Sequence, residues 1–224
     1  MILNNRQISE AVNNGDIIID PFDEKQVQAA SYDLRVGNQG ATASTKKLIN
    51  IQEEGFLLLK PGDFAIIVVL EKIHLDAKHV GRFGLRSKYA RKGLIATTGP
   101  QIDPGYEGRL IIGLTNPTPN SITLPHKDDF LTAEFHKLEE PSTKLYTGKY
   151  QGKTELRPED IEMIVETESI SIPEILTTLN SLSQNIGSLA TDIKILTNDM
   201  KSFKWTVGIG ITVIGVIVTL SNIL

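Results

Sequence analysis

Six basic residues fall within fifteen positions near the middle of the chain, with no acidic residue among them. They are Lys78, Arg82, Arg86, Lys88, Arg91 and Lys92. The forked donors of arginine match phosphate oxygens, so the cluster suits a compact anion such as a polyphosphate. Composition alone leaves open the alternative of a solvated basic strand.

A carboxylate follows the basic cluster, because Asp103 lies in the glycine- and proline-rich segment QIDPGYEG. On a tight turn beside cationic groups, such a carboxylate can orient a water molecule or bind a cation. An aspartate that only caps a turn is the structural alternative.

Several other kinds of site are excluded by composition. The chain has no cysteine, which excludes disulfides, thiol catalysis and cysteine-ligated zinc. Its 4 histidines have no metal-ligand spacing, and neither a Walker loop nor a Rossmann glycine signature occurs. The net charge of -4 predicts no nucleic-acid partner. The start lacks a basic segment followed by an apolar core, so we expect no signal peptide.

Short strands must position these residues. Residues 1–155 contain a predicted helix from Asn5 to Asn13 with Gly15 near its end. Strand-like runs separated by Gly, Pro and Asn follow: DIIID, SYDLRVG, GFLLLKPGDFAIIVVLEKI, GRLIIGLTN and SITLP. Their short, regular spacing indicates a mainly β domain, an antiparallel sandwich or barrel.

Several motifs in order resemble the dCTP deaminase and trimeric dUTPase superfamily. They are LNNRQISEAVNNGDIIIDPF with SYDLRVG, then GFLLLKPGDFAIIVVLEKIHL, RSKYARKGL, IDPGYEG and KYQG at 149–152. The resemblance covers the chain to about Gly152. It implies a dUTPase-like β-barrel, a homotrimer with sites between subunits, and a deoxypyrimidine triphosphate bound with Mg²⁺ and without zinc.

The resemblance also implies roles for individual residues. Those implied for catalysis are Asp103, Ser87 and Arg91, of which Ser87 and Arg91 would contact the triphosphate with support from Arg86. Those implied for nucleotide binding are Arg86, Lys88, Gly99, Gln101, Tyr106, Lys149 and Gln151. Residues 99–103 would read the base through their backbone, Tyr106 would stack on the sugar, and Asp33 would lie near the phosphates. No side chain is expected to bind the metal directly.

Departures from the family pattern bear on the chemistry. The glutamate that carries protons in family deaminases corresponds to Gly113, and Glu107 lies on the wrong side of the turn. Asp103, the residue that positions water in the dUTPase branch, is present. The expected glutamine of the following motif corresponds to Thr132, and KYQGKTE replaces the closing glycine-rich loop, with Lys149 and Lys153 as possible phosphate contacts.

Three functions remain open at this stage. The first is hydrolysis of a deoxypyrimidine triphosphate, with dUTP favoured and Asp103 aligning the water. The second is deamination of dCTP with a different proton carrier. The third is a degenerate nucleotide-binding domain that signals through the C-terminal segments.

The C-terminal segments are predicted to form a stalk. Residues 156–171 read as an acidic linker or short helix, and over 172–201 apolar residues recur at alternating spacings of three and four. Leu182, Leu189 and Leu196 fall at d positions, with Ile186 and Ile193 at a positions. This pattern predicts a coiled coil. The a and d residues favour dimers in isolated zippers, whereas the resemblance favours a trimer.

Residues 205–224 contain no charged side chain. A helix of this length would extend roughly 30 Å, the thickness of a bilayer core. Trp205 at one edge and Lys201 and Lys204 before it favour a transmembrane tail anchor with the N-terminal domain in the cytoplasm. A buried helix or strand of a folded core is the alternative.

Overall fold

The computed structural model describes residues 1–166 and 172–221. The strands are β1 Ile17–Asp20, β2 Tyr32–Thr42, β3 Leu48–Asn50, β4 Phe56–Leu59, β5 Phe64–Leu75, β6 His79–Leu85, β7 Ile95–Ala96, β8 Gln101–Ile102, β9 Glu107–Thr115, β10 Ile122–Pro125 and β11 Asp129–Lys137. The helices are α1 Asn5–Asn13, α2 Ile51–Glu54, α3 Ser87–Ala90, α4 Pro158–Glu166 and α5 Ile172–Ser221, with a short 3₁₀ turn at Glu24–Gln26.

The strands confirm a mainly β domain. A 9-stranded antiparallel sheet has the order β7-β9-β5-β2-β11-β6-β8, with β1 added to β5 and β3 added to β2. Strands β4 and β10 form a separate pair. The longest strand is β5, which pairs with β1, β2 and β9. Its run of β-branched residues suits a strand covered on both faces.

Alternation along β9 divides its side chains between two environments. Leu110, Ile112 and Leu114 point into the main core, where Ile112 and Leu114 are fully buried. Ile111 belongs to a second apolar cluster, on the opposite face. Since neighbouring side chains on a strand point to opposite faces, Gly113 lies on the face of Ile111.

The predicted N-terminal helix is confirmed with the expected bounds. Asn4 caps α1 by accepting a hydrogen bond from the Gln7 backbone N–H at 3.0 Å, and the Gln7 side chain accepts from the Asn4 N–H in return. This reciprocal capping box satisfies two backbone donors at the helix start. The buried side chains of the helix, Ile8 and Ala11, join the main core.

A C-terminal arm, which we define as residues 139–166, extends the domain beyond its last strand. Leu156 and Ile161 of the arm pack on Ile66 and Val68 of β5 and on neighbouring residues of the second apolar cluster. Burial of these side chains holds the arm against the sheet. Within the segment predicted as an acidic linker or short helix, α4 occupies 158–166.

Helix α5 covers most of the ranges predicted as stalk and anchor, and the chain divides into two compact units, Met1–Pro173 and Glu174–Leu224. The apolar seam of α5 is more than half exposed at Leu182, Ile186 and Leu189. Pairing of this seam with other copies finds no support in the single chain, and the coiled coil stays a prediction.

The prediction of a transmembrane helix at 205–224 is wrong. Among residues 1–166 and 172–221, no helix has a stretch that is both long and apolar enough to cross a bilayer. The prediction rested on length, absence of charge and flanking residues. A stretch without charge can still contain weakly apolar positions, here glycines and threonines such as Thr206, Gly208 and Gly210. The predicted tail-anchored localisation depended on this helix and is therefore also wrong. Residues 222–224 of the predicted anchor lie outside the described residues.

Candidate functional site

A cavity of about 260 Å³ lies along β9, between the segment that follows β7 and the C-terminal arm. Its walls are largely apolar and include Phe64, Phe83 and Ile111. Its polar side chains come from residues 97–106 and from the arm. A mostly apolar cavity with a few convergent polar groups is typical of a small-molecule site.

The turn at Asp103 positions a carboxylate on the cavity wall. The backbone N–H of Tyr106 donates to the carbonyl oxygen of Asp103 at 3.1 Å. Pro104 and Gly105 occupy the two central positions, and Gly105 has a φ of 80°, as a type II turn requires. The side-chain amide of Gln101 donates to Asp103 Oδ1 at 2.6 Å. The carboxylate is therefore held in place by its neighbour while it faces the cavity.

Gly113 lines the same cavity, and the space beside it is already occupied. A Cβ built at this position would lie within 3.4 Å of two ring carbons of Phe64 and well inside van der Waals contact of the Thr97 hydroxyl. The backbone N–H of Gly113 donates to the Thr98 hydroxyl at 2.7 Å. Neighbouring side chains thus fill the place that a side chain at 113 would take.

The C-terminal arm supplies one wall of the cavity through Tyr146, Tyr150 and Asp160. The arm is fixed to the turn that carries Asp103. Tyr146 N–H donates to the Pro104 carbonyl at 2.9 Å, and the Gln151 amide donates to the Gly105 carbonyl at 2.9 Å. A predicted nucleotide contact, Gln151, therefore uses its side chain within the chain, since it also accepts from the Glu107 N–H at 3.1 Å.

A buried ion pair joins two residues of the arm. Lys153 and Asp160 are each 6% exposed, and the Lys153 ammonium donates to both carboxylate oxygens, at 2.6 and 2.8 Å. Asp160 is also the third residue of α4 and accepts from the Arg157 backbone N–H at 2.8 Å. That bond satisfies a donor at the helix start, where a negative charge is favourable.

Two residues predicted to bind the nucleotide, Arg86 and Lys88, are paired within the chain. Arg86 contacts the buried carboxylate of Asp33 at 2.7 Å and also contacts Asp129. Lys88 donates to Asp128 at 2.7 Å, and Asp128 also accepts from the Tyr89 hydroxyl. Burial and this bond raise the pKa of Tyr89, so its phenol stays neutral. These pairs reduce the positive charge that Arg86 and Lys88 can offer to a ligand.

Other predicted phosphate contacts remain at the surface. Ser87, Arg91 and Lys149 are exposed. The Lys149 ammonium lies 4.9 Å from the centre of the Tyr150 ring, while Ser87 begins the short helix α3. The cavity is lined by neither Ser87 nor Arg91.

Four predicted site residues therefore converge and the others do not. Gly99, Gln101, Asp103 and Tyr106 all line the cavity. Tyr106 is buried and its hydroxyl donates to the Arg109 carbonyl at 3.0 Å, so its ring is the part available to a ligand. Burial raises the pKa of Tyr106. The roles predicted for all of these residues stay predictions.

Sequence reasoning missed the side chains that complete the cavity: Phe64, Thr97, Thr98, Tyr146, Tyr150 and Asp160. The two threonines directly precede Gly99, so adjacency could have suggested them. Asp160 lies 57 positions beyond Asp103 in a segment read as a linker. Its role as a helix cap is readable from Pro158 at the helix start, but its place on the cavity wall is not.

Glu107 is the nearest acidic residue in sequence to the Asp103 turn, and its surroundings keep it ionised. The Lys72 ammonium donates to Glu107 Oε1 at 2.5 Å, and this bond lowers the pKa of Glu107 below its ordinary value. A proton carrier works best when its pKa lies near the working pH. Glu107 does not meet that requirement.

The chain offers little for direct metal binding. Within the described ranges, no group of three or more histidine and acidic side chains could hold an ion. Asp33, predicted to lie near the phosphates, is buried against Arg86.

Comparison with known proteins finds a matching family. Residues 2–138 match the family described as DCD, dCTP deaminase-like. The chain is 39% identical over 142 residues to the dCTP deaminase of Thermococcus sibiricus, covering 63% of this chain and 89% of that protein. It is 29% identical over 179 residues to the dCTP deaminase, dUMP-forming, of Aquifex aeolicus, covering 75% and 99% respectively.

Among solved structures, the 2'-deoxycytidine 5'-triphosphate deaminase of Agrobacterium tumefaciens is similar in fold. The TM-score is 0.52 at 18% sequence identity, over 62% of this chain and 49% of that chain. At this identity the likeness concerns the fold alone.

Proposed function

The chain belongs to the dCTP deaminase-like family, and on that premise we propose that it hydrolyses a deoxypyrimidine triphosphate to the monophosphate and pyrophosphate. The substrate class comes from the relatives, which are named dCTP deaminases. The choice of reaction rests on one observation: the cavity wall has a carboxylate at Asp103 and no side chain at Gly113.

Deamination by the family route is disfavoured at this cavity. Release of ammonia needs a group that delivers protons to the leaving nitrogen. The family's carrier corresponds to Gly113, where Thr97 and Phe64 fill the neighbouring space. The acidic neighbour Glu107 has a lowered pKa and pairs with Lys72.

Hydrolysis places smaller demands on the protein. A water molecule attacks the α-phosphorus, its oxygen forms the new P–O bond, and the bond from this phosphorus to the bridging oxygen breaks as pyrophosphate leaves. Asp103 accepts a hydrogen bond from the water and takes its proton, which then passes to solvent. Gln101 keeps the carboxylate oriented during this step.

The ring of Tyr106 and the backbone of residues 99–103 suit the sugar and base, as the family resemblance implies. The phosphates extend beyond the single-chain cavity, toward Ser87 and Arg91 of a neighbouring copy. Because Ser87 and Arg91 do not line the cavity of their own chain, the proposal requires an oligomer, and the family resemblance makes that oligomer a homotrimer. When bound with the triphosphate, Mg²⁺ would neutralise phosphate charge.

Between uracil and cytosine, the sequence favours uracil and hence dUTP as the substrate, because the dUTPase branch uses the aspartate that corresponds to Asp103. Binding without turnover is a second candidate function. It is supported by the ion pairs of Arg86 and Lys88, which leave fewer cations to stabilise the developing charge of the phosphates.

The test is incubation of the full chain with Mg²⁺ and either dUTP or dCTP, with pyrophosphate, ammonia and monophosphate measured separately. We expect pyrophosphate without ammonia, at a rate that Asp103→Asn lowers about a hundredfold or more. Asp76→Asn serves as a matched control, because Asp76 lies outside the cavity lining.

The products distinguish the alternatives. Ammonia from dCTP in stoichiometric amount would contradict the proposal and would favour a different proton carrier. Tight binding without release of pyrophosphate or ammonia would contradict the proposal and support the second candidate, nucleotide binding without turnover.

A further inference from the structure

A second carboxylate on the cavity wall comes from outside the family-matched residues. Asp160 lies beyond residues 2–138 and lines the cavity while it is 6% exposed. The other acidic residue of the described wall is Asp103. A charge buried this deeply is costly unless it is paired and hydrogen-bonded, and Lys153 supplies the partner.

The hydrogen bonds of Asp160 leave capacity on one oxygen. Oδ2 accepts from Lys153 at 2.8 Å and from the Arg157 N–H at 2.8 Å, whereas among the residues that the structure describes Oδ1 accepts from Lys153 alone, at 2.6 Å. Each carboxylate oxygen offers about two lone pairs. Oδ1 can therefore accept one further hydrogen bond.

An ionised carboxylate only accepts hydrogen bonds, which restricts the ligand groups that can face it. The exocyclic amine of cytosine is a donor. The corresponding group of uracil is a carbonyl oxygen, which a carboxylate repels. Uracil also has an N–H donor on its ring, but two carbonyl oxygens flank that donor and would approach the carboxylate with it.

We propose that Asp160 contacts the base and makes the cavity selective for cytosine, so that the preferred substrate is dCTP and the products are dCMP and pyrophosphate. This inference rests on the proposed function but changes the preferred base from uracil to cytosine. The reaction is the hydrolysis described above, in which the α-phosphorus is attacked and the amine of the base is retained. Cytosine recognition is thereby separate from the family's deamination route, whose proton carrier corresponds to Gly113.

The alternative is that Asp160 only caps α4 and holds the arm. The two roles differ in their effect on base preference. A capping residue affects binding of both nucleotides alike, because the arm forms a wall for either. A residue that contacts the base changes the ratio of the two dissociation constants.

The experiment is calorimetry of the full chain with Mg²⁺ and the α,β-imido analogues of dCTP and dUTP, which resist hydrolysis. We expect the dCTP analogue to bind about tenfold to a hundredfold more tightly, the value of one hydrogen bond to a charged group. The N4,N4-dimethyl derivative of the dCTP analogue lacks the donor and should lose this advantage. That comparison needs no variant and so does not depend on folding.

Two variants assign the preference to the residue. Asp160→Asn should reduce the ratio to about threefold or less, because an amide can donate or accept. Glu159→Gln is the matched control, since it removes a neighbouring carboxylate in the first turn of α4 that does not line the cavity. Its ratio should equal that of the unmodified chain. Melting temperatures of both variants monitor the integrity of the arm.

Each outcome decides the inference. Tighter binding of the dUTP analogue, or a ratio unchanged in Asp160→Asn, would overturn the role of Asp160 and leave the proposed hydrolysis intact. Absence of binding by both analogues would instead contradict the proposed function.

Discussion

Thr97 lies directly over Gly113. The Thr97 backbone N–H donates to the Gly113 carbonyl oxygen at 2.9 Å, and the Thr97 hydroxyl occupies the space into which any side chain at 113 would project. The residue types at the two positions are therefore matched. A larger residue at 113 requires the Thr97 hydroxyl to move.

We expect Gly113→Ala to lower the free energy of unfolding by about 1 kcal/mol, because the new methyl group displaces the Thr97 hydroxyl from its rotamer. Gly84→Ala on β6 is the matched control, since a Cβ there meets nothing within 4 Å. Urea denaturation measures both. Adding Thr97→Ala should restore most of the loss, and an unrelieved loss in the double variant would contradict the contact.

The same contact predicts what is needed to introduce a proton carrier. Gly113→Glu alone should release no ammonia from dCTP, because Thr97 blocks the path of the side chain. Gly113→Glu with Thr97→Ala gives the carboxylate room, and we expect ammonia above the background of the unmodified chain. Equal ammonia release by the single and double variants would show that Thr97 does not obstruct the position.

Loss of the buried cation of the arm should destabilise the domain. Lys153→Met leaves the Asp160 charge buried without its partner, and we expect a loss of about 3–5 kcal/mol in the free energy of unfolding. Lys149→Met is a close control, because Lys149 is exposed and also lies over the Tyr150 ring. Its expected loss is at most about 1 kcal/mol. Similar losses for the two variants would contradict the importance of the ion pair.

Substitution should distinguish two arginines of the basic cluster: we expect Arg86 to be structural and Arg91 to bind the ligand. Arg86→Ala removes the cation beside buried Asp33, so we expect a loss of about 3–5 kcal/mol in stability. Arg91→Ala should leave stability within about 0.5 kcal/mol because Arg91 is exposed. Its effect should instead be about a tenfold or greater weakening of triphosphate binding in calorimetry. Unchanged binding in Arg91→Ala would argue against the predicted phosphate contact.

The Lys72–Glu107 pair predicts a pH dependence of stability. Because Lys72 lowers the pKa of Glu107, the pair stabilises the folded state at every pH above the ordinary carboxyl value of 4.5. That contribution is lost as the pH falls below 4.5 through the lowered value. The difference in melting temperature between the unmodified chain and Glu107→Gln should therefore be constant from about pH 6 to 9 and vanish in acid. A difference that changes near neutral pH would contradict the lowered pKa.

Local sequence signals were sufficient for some elements. The cap at Asn4 and the apolar positions Ile8 and Val12 define α1, because capping and helical periodicity act over a few residues. Pro104 and Gly105 define the turn at Asp103 for the same reason. The family motifs, read in order, correctly identified the superfamily, which the family match confirms.

The transmembrane prediction rested on length, absence of charge and the flanking Trp205 and lysines, and none of these measures how apolar each position is. Absence of charge and hydrophobicity differ where glycine and threonine interrupt an apolar run, as at Gly208 and Thr212.

The sequence by itself determined the mainly β domain, the bounds of α1, the turn that presents Asp103 and the missing carboxylate at position 113, because each depends on residue type or on neighbours a few positions away. Only the tertiary structure decided which groups share the cavity. It brought Asp160 to the wall that holds Asp103, and it paired Arg86 with Asp33 rather than leaving it free. These contacts join residues tens of positions apart, and their energies depend on burial and distance, which no local pattern encodes.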